Sequence, residues 1–302
     1  MIDLEGVHIL MTYECNYECE HCFVWGSPKQ CGTLTLDQIQ QVLQQADRMG
    51  SVEWIYFEGG EPFLYYAALT EGVRMASRLG FKVGIVSNGY WATDLRDAVE
   101  SLRPFKGLVQ DLSISSDLYH GYEKFTRDAR IARAAAGQLG IPLNIISIAE
   151  HDAAENAPAT GQIPSGESSV MYRGRAAGAL AARAPRTPWR ELKECPYENL
   201  RDPGRIHVDP FGNVQICQGI SLGNLFRESL KDICARFDPD SHPIVGPLVN
   251  GGPAELARRF DVECSDGYAD ACHLCYEARR SLRGRFPGTL NPDQAYGVVS
   301  GT

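Results

Sequence analysis

The stretch Cys15-Asn16-Tyr17-Glu18-Cys19-Glu20-His21-Cys22 places three cysteines in eight residues, directly after the apolar run Val7 to Met11. Thiolates are soft ligands that hold iron–sulfur clusters or zinc, and a cluster normally takes four ligands. Three close cysteines with no local fourth imply a cluster with one iron left open, where a small molecule binds and chemistry is done. A thiolate zinc site is the competing reading. The apolar run reads as the first strand, so the cysteines sit on the loop that follows it.

Outward from this stretch, strands and helices alternate. Thr35 with Gln38 three residues on forms a capping box; Leu36, Ile39, Val42, Leu43 and Ala46 share one face, and Gly50 closes the segment. Val52 to Phe57 reads as a strand, followed by the loop Gly59-Gly60-Glu61-Pro62 and a helix ending near Leu79-Gly80. Lys82 to Ser87 is a strand, Thr93 opens a helix carrying Leu95, Val99 and Leu102, and Leu108 to Ser115 is the next strand. A helix around Phe125 to Leu139, a strand over Leu143 to Ile148 and a short strand over Val170 to Arg173 complete the series. Repeated βα units predict a parallel sheet with helices on its outer face. Loops after such strands build the active site in barrels, so the cysteine loop and the Gly-Gly-Glu-Pro loop share one rim. Ala153 to Gly166 reads as a loop, and the Ala/Arg/Pro connector Ala176 to Thr187 as a domain boundary.

The Gly-Gly-Glu-Pro loop carries its own chemistry. Glycines without a Cβ let backbone carbonyls approach a ligand, a carboxylate such as Glu61 accepts hydrogen bonds from an ammonium group, and Pro62 suits the first turn of a helix. The bland alternative is a tight turn with an incidental glutamate. Beyond the connector lie six of the ten cysteines. Arg205 to Asp209 and Asn213 to Cys217 flank Pro210-Phe211-Gly212 as a hairpin, and Cys272-His273-Leu274-Cys275 is a pair able to clamp one metal centre. Cys234 reads as a small buried apolar residue.

The spacing C-x3-C-x2-C with His21 before the last cysteine, followed by Gly-Gly-Glu-Pro, resembles the radical S-adenosylmethionine (radical SAM) enzymes. The resemblance implies an α/β fold: a partial parallel (β/α)6 barrel of the TIM type over residues 1–180. It implies a [4Fe–4S] cluster on Cys15, Cys19 and Cys22 whose open iron chelates S-adenosylmethionine. Gly59, Gly60, Glu61 and Pro62 would then receive the methionine amino group, and Ser87 and Asn88 would lie near its carboxylate. Ser113, Ser115 and Asp117 would lie near the ribose, and His21 would line the adenine pocket. Arg173, in a run similar to a Gly-Arg-Ala stretch of many members, would anchor a carboxylate. Short polar residues at strand ends are also plain turn formers, and an exposed Arg or His is the bland reading of the other two.

Cys195, Gly212 to Cys217 and Gly223-Asn224-Leu225 resemble the opening of the auxiliary-cluster domains called SPASM and twitch. That likeness implies a small cysteine-rich α+β domain over residues 190–284 with a tail at 285–302. Cys195, Cys217, Cys272 and Cys275 would cage one auxiliary [4Fe–4S] cluster; no cysteine follows Cys275, which favours the one-cluster twitch type. A zinc ribbon stays open. Cys264 could displace one of these ligands or donate a hydrogen atom to a substrate radical, as a cysteine does in some radical SAM peptide epimerases.

The 302-residue chain is 44% hydrophobic and 22% charged, with a net charge of −9. That acidic balance opposes a general nucleic-acid binder. No apolar stretch nears the roughly 20 residues that cross a bilayer, Asp3, Glu5 and His8 interrupt any signal segment, and ten cysteines without one point to metals in a reducing cytoplasm. The family implies reductive cleavage of S-adenosylmethionine to a 5′-deoxyadenosyl radical that abstracts hydrogen, with a ribosomally made peptide as the favoured substrate and a small metabolite as the alternative. It also implies an external one-electron donor such as a flavodoxin or ferredoxin. The first strand starts within ten residues of Met1, so peptide recognition is expected from the second domain or a separate protein. The reading from another class is a non-catalytic iron–sulfur or zinc protein, to which an ammonium cradle would be useless.

Overall fold

Strand β1 (Gly6–Thr12) is buried along all seven residues, because it has a partner on each edge and a covered face on each side. The computed structural model describes residues 2–117, 122–149 and 166–299. β1 is followed by parallel neighbours β2 (Trp54–Gly59), β3 (Lys82–Ser87), β4 (Asp111–Ser115), β5 (Leu143–Ala149) and β6 (Gly166–Ser169), paired in chain order. A two-residue strand, β7 (Thr187–Pro188), pairs apart from this sheet with β11 (Gly267–Tyr268). On the other edge of β1 lie β8 (Arg205–Val208), parallel to it, then antiparallel β9 (Asn213–Cys217) and β10 (Ile220–Asn224).

Helices α1 (Leu36–Asp47), α2 (Tyr66–Arg78), α3 (Leu95–Leu102) and α4 (Tyr122–Leu139) cover one face of the sheet. Period-two alternation sorts the strand residues. Ile9, Ile55, Phe57, Val83, Ile85, Leu112 and Ile114 pack with Ile39, Leu43, Leu69, Val73, Leu102 and Ala136 in the main core. Each such side chain contributes about 1.5–3 kcal/mol on burial. The outer layer therefore holds the barrel together, and the inner face is left to polar residues: His8, Glu58 and Ser115 line a cavity there. The capping box at α1 forms as the sequence predicts, with Thr35 N donating to Gln38 Oε1 at 2.8 Å and Gln38 N to Thr35 Oγ1 at 3.3 Å. The third helix is capped by Asp94, one residue after the expected Thr93.

The sixth strand is Gly166–Ser169 and ends where the expected one, Val170 to Arg173, begins. The reason is packing: Val170 and Tyr172 bury themselves with Ala176, Leu180 and Ala184 in a small separate cluster. Of the expected loop from Ala153 to Gly166, residues 153–165 lie outside the described residues. The connector Ala176 to Thr187 overlaps a short helix, α5 (Arg175–Ala179), and leads into β7, outside the barrel sheet. β8 pairs with β1 in register His8↔His207, so the sheet crosses the expected domain boundary. Ile206, Val208, Val214, Leu225, Ile233 and Cys234 accordingly join the main core, with Cys234 apolar and buried as read; the last two sit on α6 (Leu230–Arg236).

A second core forms from α7 (Val245–Arg259), α8 (Ala271–Leu282), β9 and the tail, with Ile216, Leu248, Leu256, Tyr276, Leu290 and Tyr296 at its centre. The tail is packed down: Tyr296 OH donates to Gly219 O at 2.7 Å and its ring stacks on Tyr276. Trp25 Nε1 donates to Tyr276 OH at 2.8 Å, which ties the cysteine loop to this second core.

Candidate active site

Backbone amides surround the first cysteine set. Tyr17 N lies 3.4 Å from Cys15 Sγ, Gly26 N lies 3.2 Å from Cys22 Sγ, and Asn88 Nδ2 reaches Cys15 Sγ at 3.7 Å. Arg175 grips the loop from below by donating to Cys19 O at 2.7 Å and Gly26 O at 2.8 Å. Burial pushes the Cys15 thiol up to about 12 and moves Cys19 the same way, with the neighbouring thiols adding to both shifts. Thiols kept protonated are poor nucleophiles; a bound metal must supply the free energy that deprotonates them.

Among the described residues, His8, Glu58 and His207 are a group of three whose ligand atoms all lie within 4.8 Å of one another.

The Gly-Gly-Glu-Pro loop is laid backbone to backbone on the cysteine loop. Gly60 N donates to Thr12 O at 2.7 Å and Glu61 N to Glu14 O at 2.8 Å. Gly59 has φ of +136°, and a Cβ at Gly60 would lie 2.5 Å from the Glu14 carbonyl carbon. The glycines are therefore needed for the approach of two loops as much as for any ligand. Pro62 opens the short 3₁₀ turn Pro62–Tyr65.

Glu61 also works inside the fold. Its carboxylate is fully buried and turned inward, accepting from Phe63 N at 3.0 Å, Ser87 Oγ at 2.9 Å and Asn88 N at 2.7 Å. Those three bonds make it a positioning residue that locks the loop after β2 to the loop after β3. Burial pushes its carboxyl up to about 7, against the pull of those three hydrogen bonds. A folded pKa above the unfolded 4.5 means that this group's stabilisation is full below about pH 4.5 and is lost as pH rises through about 7. Glu61→Gln sets an amide N–H against Asn88 N–H and should cost about 1–3 kcal/mol. The gap to wild type in thermal unfolding should narrow between about pH 5 and about pH 8; a gap that widens would contradict this assignment.

The other rim residues divide. Cys15, Cys19, His21, Cys22, Gly59, Gly60, Ser87, Asn88 and Ser115 line one pocket. His21 and Ser115 also line an adjoining cavity of about 390 Å³ together with Asp117, Phe23, Arg205 and Glu198. His21 Nε2 sits 3.4 Å from Asp117 Oδ2. Ser113 does not reach the rim: its hydroxyl donates to Asp111 Oδ1 at 3.2 Å, one side-chain layer deeper, where Asp111 also accepts from Tyr56 OH.

Arg173 is likewise elsewhere than expected. It is buried with Nη1 3.0 Å from Cys217 Sγ, 3.6 Å from Glu198 Oε1, and its guanidinium 5.0 Å above the Phe23 ring. It thus faces the second cysteine set. Cys195, Cys217, Cys272 and Cys275 all line one pocket with Arg173 and Arg279, so the four expected ligands do come together. Burial pushes Cys195 up to about 12 and raises Cys272 and Cys275. Arg279, which sequence reading passed over, is 1% exposed and donates to Gln218 O at 2.8 Å. Burial lowers the pKa of both arginines, but Cys217 and Cys272 around Arg173, and Cys275 and Tyr296 around Arg279, outweigh it and keep them charged. Two buried cations facing four thiols are the counter-charge that a cage of thiolates needs.

Cys264 stands apart from both sites. It packs beside Val262, Tyr268 and Leu274, with Sγ donating to Val262 O at 3.4 Å, and borders neither the four-cysteine pocket nor the 390 Å³ cavity. Its position thus supports neither a hydrogen donor to a substrate in that cavity nor a replacement for one of the four ligands. Cys264→Ala should leave iron content and product unchanged; loss of about one cluster's iron would overturn this.

Residues 9–135 match the radical SAM superfamily. That segment, about two fifths of the chain, carries the radical SAM domain. Among curated relatives, this radical SAM chain is 29% identical over 115 residues to the putative peptide biosynthesis protein YydG of Bacillus subtilis (strain 168), covering 38% of this chain and 36% of the relative. It is 24% identical over 311 positions to the antilisterial bacteriocin subtilosin biosynthesis protein AlbA of the same organism, covering 87% of this chain and 66% of AlbA. The matches thus span about a third of YydG and two thirds of AlbA. Among solved structures, SuiB of Streptococcus suis bound to S-adenosylmethionine superposes with a TM-score of 0.56 at 14% identity, over 89% of this chain and 77% of SuiB. BtrN in complex with AdoMet and 2-DOIA gives 0.50 at 16%, over 78% and 83%. These likenesses establish the partial barrel of a radical SAM fold with an added region. The family carries a [4Fe–4S] cluster and S-adenosylmethionine, and the cysteine loop, the glycine cradle and the buried thiols of this chain fit both. Among the described residues no helix is long and apolar enough to cross a membrane.

Proposed function

We propose that this radical SAM chain removes a hydrogen atom from a carbon of a ribosomally made peptide, with Cys195, Cys217, Cys272 and Cys275 holding a second cluster. The observation that carries the reading is the cavity of about 390 Å³, which has His21, Ser115 and Asp117 at the three-cysteine end and Arg173 and Glu198 at the other. Arg173, Pro196, Tyr197 and Glu198 also wall the four-cysteine pocket. A substrate held there lies between a place where a radical is made and a place where an electron can be taken up.

When bound, the open cluster and S-adenosylmethionine supply a 5′-deoxyadenosyl radical; the chain's own residues bind, orient and exclude water. Asp117 and Ser115 offer acceptors to nucleoside hydroxyls, Asn88 an amide to a carboxylate, and the glycine loop its carbonyls to an ammonium group. Phe23, under the Arg173 guanidinium, forms part of the cavity wall. Glu198, with Arg205 at 3.4 Å, presents the acceptor and donor that an amide backbone requires.

The likeness to YydG, a putative peptide biosynthesis protein, and to AlbA, a bacteriocin biosynthesis protein, supports a peptide as the substrate. A small metabolite is favoured instead by the 28% identity over 156 residues to the S-adenosylmethionine-dependent nucleotide dehydratase of Selenomonas ruminantium. An outside ferredoxin or flavodoxin would supply the electron, in a reducing compartment that keeps all ten cysteines free of disulfides. The test is anaerobic reconstitution, reduction, and incubation with S-adenosylmethionine and deuterated candidate peptides. We expect 5′-deoxyadenosine carrying deuterium. Deuterium transfer only from nucleotide or sugar substrates would overturn the peptide assignment, and absence of 5′-deoxyadenosine the radical one.

A further inference from the structure

The inner face of the barrel carries a polar cluster that the chemistry above does not use. His8 on β1, Glu58 on β2 and His207 on β8 come from three adjacent strands, 50 and 149 residues apart in sequence from Glu58. Glu58 lies between the imidazoles, with Oε2 3.2 Å from His8 Nδ1 and Oε1 2.9 Å from His207 Nδ1. All three residues line the 390 Å³ cavity.

We infer that His8, Glu58 and His207 form a binding site for a divalent first-row transition ion on the cavity wall. Two imidazole nitrogens and a carboxylate oxygen within 4.8 Å of one another are the donor set for zinc, iron(II), cobalt(II) or manganese(II). Hydrogen bonding alone leaves the cluster incomplete: His8 is 1% exposed, and its Nε2 has no partner, nor has Gln218 Oε1. An ion on the Nδ1 atoms moves both ring protons to Nε2. The His207 proton then meets Gln218, whose amide nitrogen is 3.2 Å from Nε2 and whose oxygen takes that place when the amide turns over. That is the outer-shell partner a metal-bound histidine ordinarily has. The His8 proton stays on the buried Nε2. Tyr56 stacks on His8 with centroids 4.8 Å apart and fixes its ring. The adjacent Arg205 is paired with Glu198, so its charge is offset. Facing the cavity, the ion takes its remaining ligands from water or from an oxygen of the substrate. The site does not depend on the radical reading, since it uses none of the cysteines.

The test uses the full chain with its cysteines filled by anaerobic reconstitution, dialysed against zinc chloride and, separately, cobalt chloride. Wild type should retain about one equivalent beyond its iron, and Glu58→Gln and His207→Asn should each bind at least about 100-fold more weakly with iron unchanged. Cobalt in wild type should give visible ligand-field bands without a thiolate charge-transfer band, a readout that needs no variant. No added equivalent, an equivalent indifferent to both variants, or a cobalt spectrum dominated by thiolate charge transfer would each overturn the assignment.

Discussion

Replacing Cys19 by alanine is expected to abolish formation of 5′-deoxyadenosine, down to the protein-free control, and to remove about four of about eight irons per chain. The three thiols are presented from one loop after β1, and no other described cysteine lines their pocket. Cys31, the nearest in sequence, instead receives Gln294 Nε2 at 3.7 Å from the tail. With two ligands left, the cluster has no third anchor. Cys272→Ala should do the converse: it should lose the other four irons, roughly, and keep cleavage of S-adenosylmethionine measurable. If Cys272→Ala instead retained all its iron, or its remaining metal proved to be one zinc, the four-cysteine cage would not be an iron–sulfur site. Iron counting with zinc analysis and chromatographic assay of the nucleoside decide both.

Gly60→Ala is expected to be nearly as damaging, without touching a ligand. Its added methyl would run into the Glu14 carbonyl, backbone that cannot rotate away, and lies 2.9 Å from the Tyr13 carbonyl carbon. The cysteine loop must then lift off the loop after β2, breaking the bonds from Gly60 N and Glu61 N that hold the two together. Overpacking of this kind costs about 1–3 kcal/mol and occasionally more. Displacement of a reacting group by an ångström costs about 100-fold in rate. We therefore expect a lower melting temperature together with a loss of activity of roughly two orders of magnitude. Gly178→Ala is the control: a Cβ there meets nothing within 4 Å, and in a helix alanine is favoured over glycine by about 1 kcal/mol. Equal behaviour of the two variants would refute the packing argument.

Much of the barrel was legible because local signals agree with the fold. The capping box at Thr35, the alternation of Ile55 and Phe57 with Tyr56 and Glu58, and the run Lys82 to Ser87 each place an element from nearby residues alone. What was not legible depends on distant pairing. No local pattern says that Arg205–Val208 will lie beside Gly6–Thr12, so a hairpin expected in a separate domain extends the barrel sheet instead. The strand Gly166–Ser169 has no apolar run to announce it, while Val170 and Tyr172 look like a strand and serve another cluster.

The site shows the same division. Cysteines and glycines at fixed spacings declare themselves, and all seven proposed ligands fall into two pockets. Glu61 and Arg173 were identified as important, but their partners could not be read from spacing: one turns inward to Ser87 and Asn88, the other reaches Cys217. His8, Glu58 and His207 each sit between apolar or glycine neighbours in their strands. The one available signal was that a strand buried at every position spends one of them on a histidine.

The most direct test is electron paramagnetic resonance of the reduced, reconstituted protein with and without S-adenosylmethionine. The account predicts that one cluster signal shifts on addition, that this signal is missing from Cys19→Ala, and that a second, unresponsive signal disappears in Cys272→Ala. A spectrum indifferent to S-adenosylmethionine would mean that no iron is open to it, and would contradict the assignment of the three-cysteine loop.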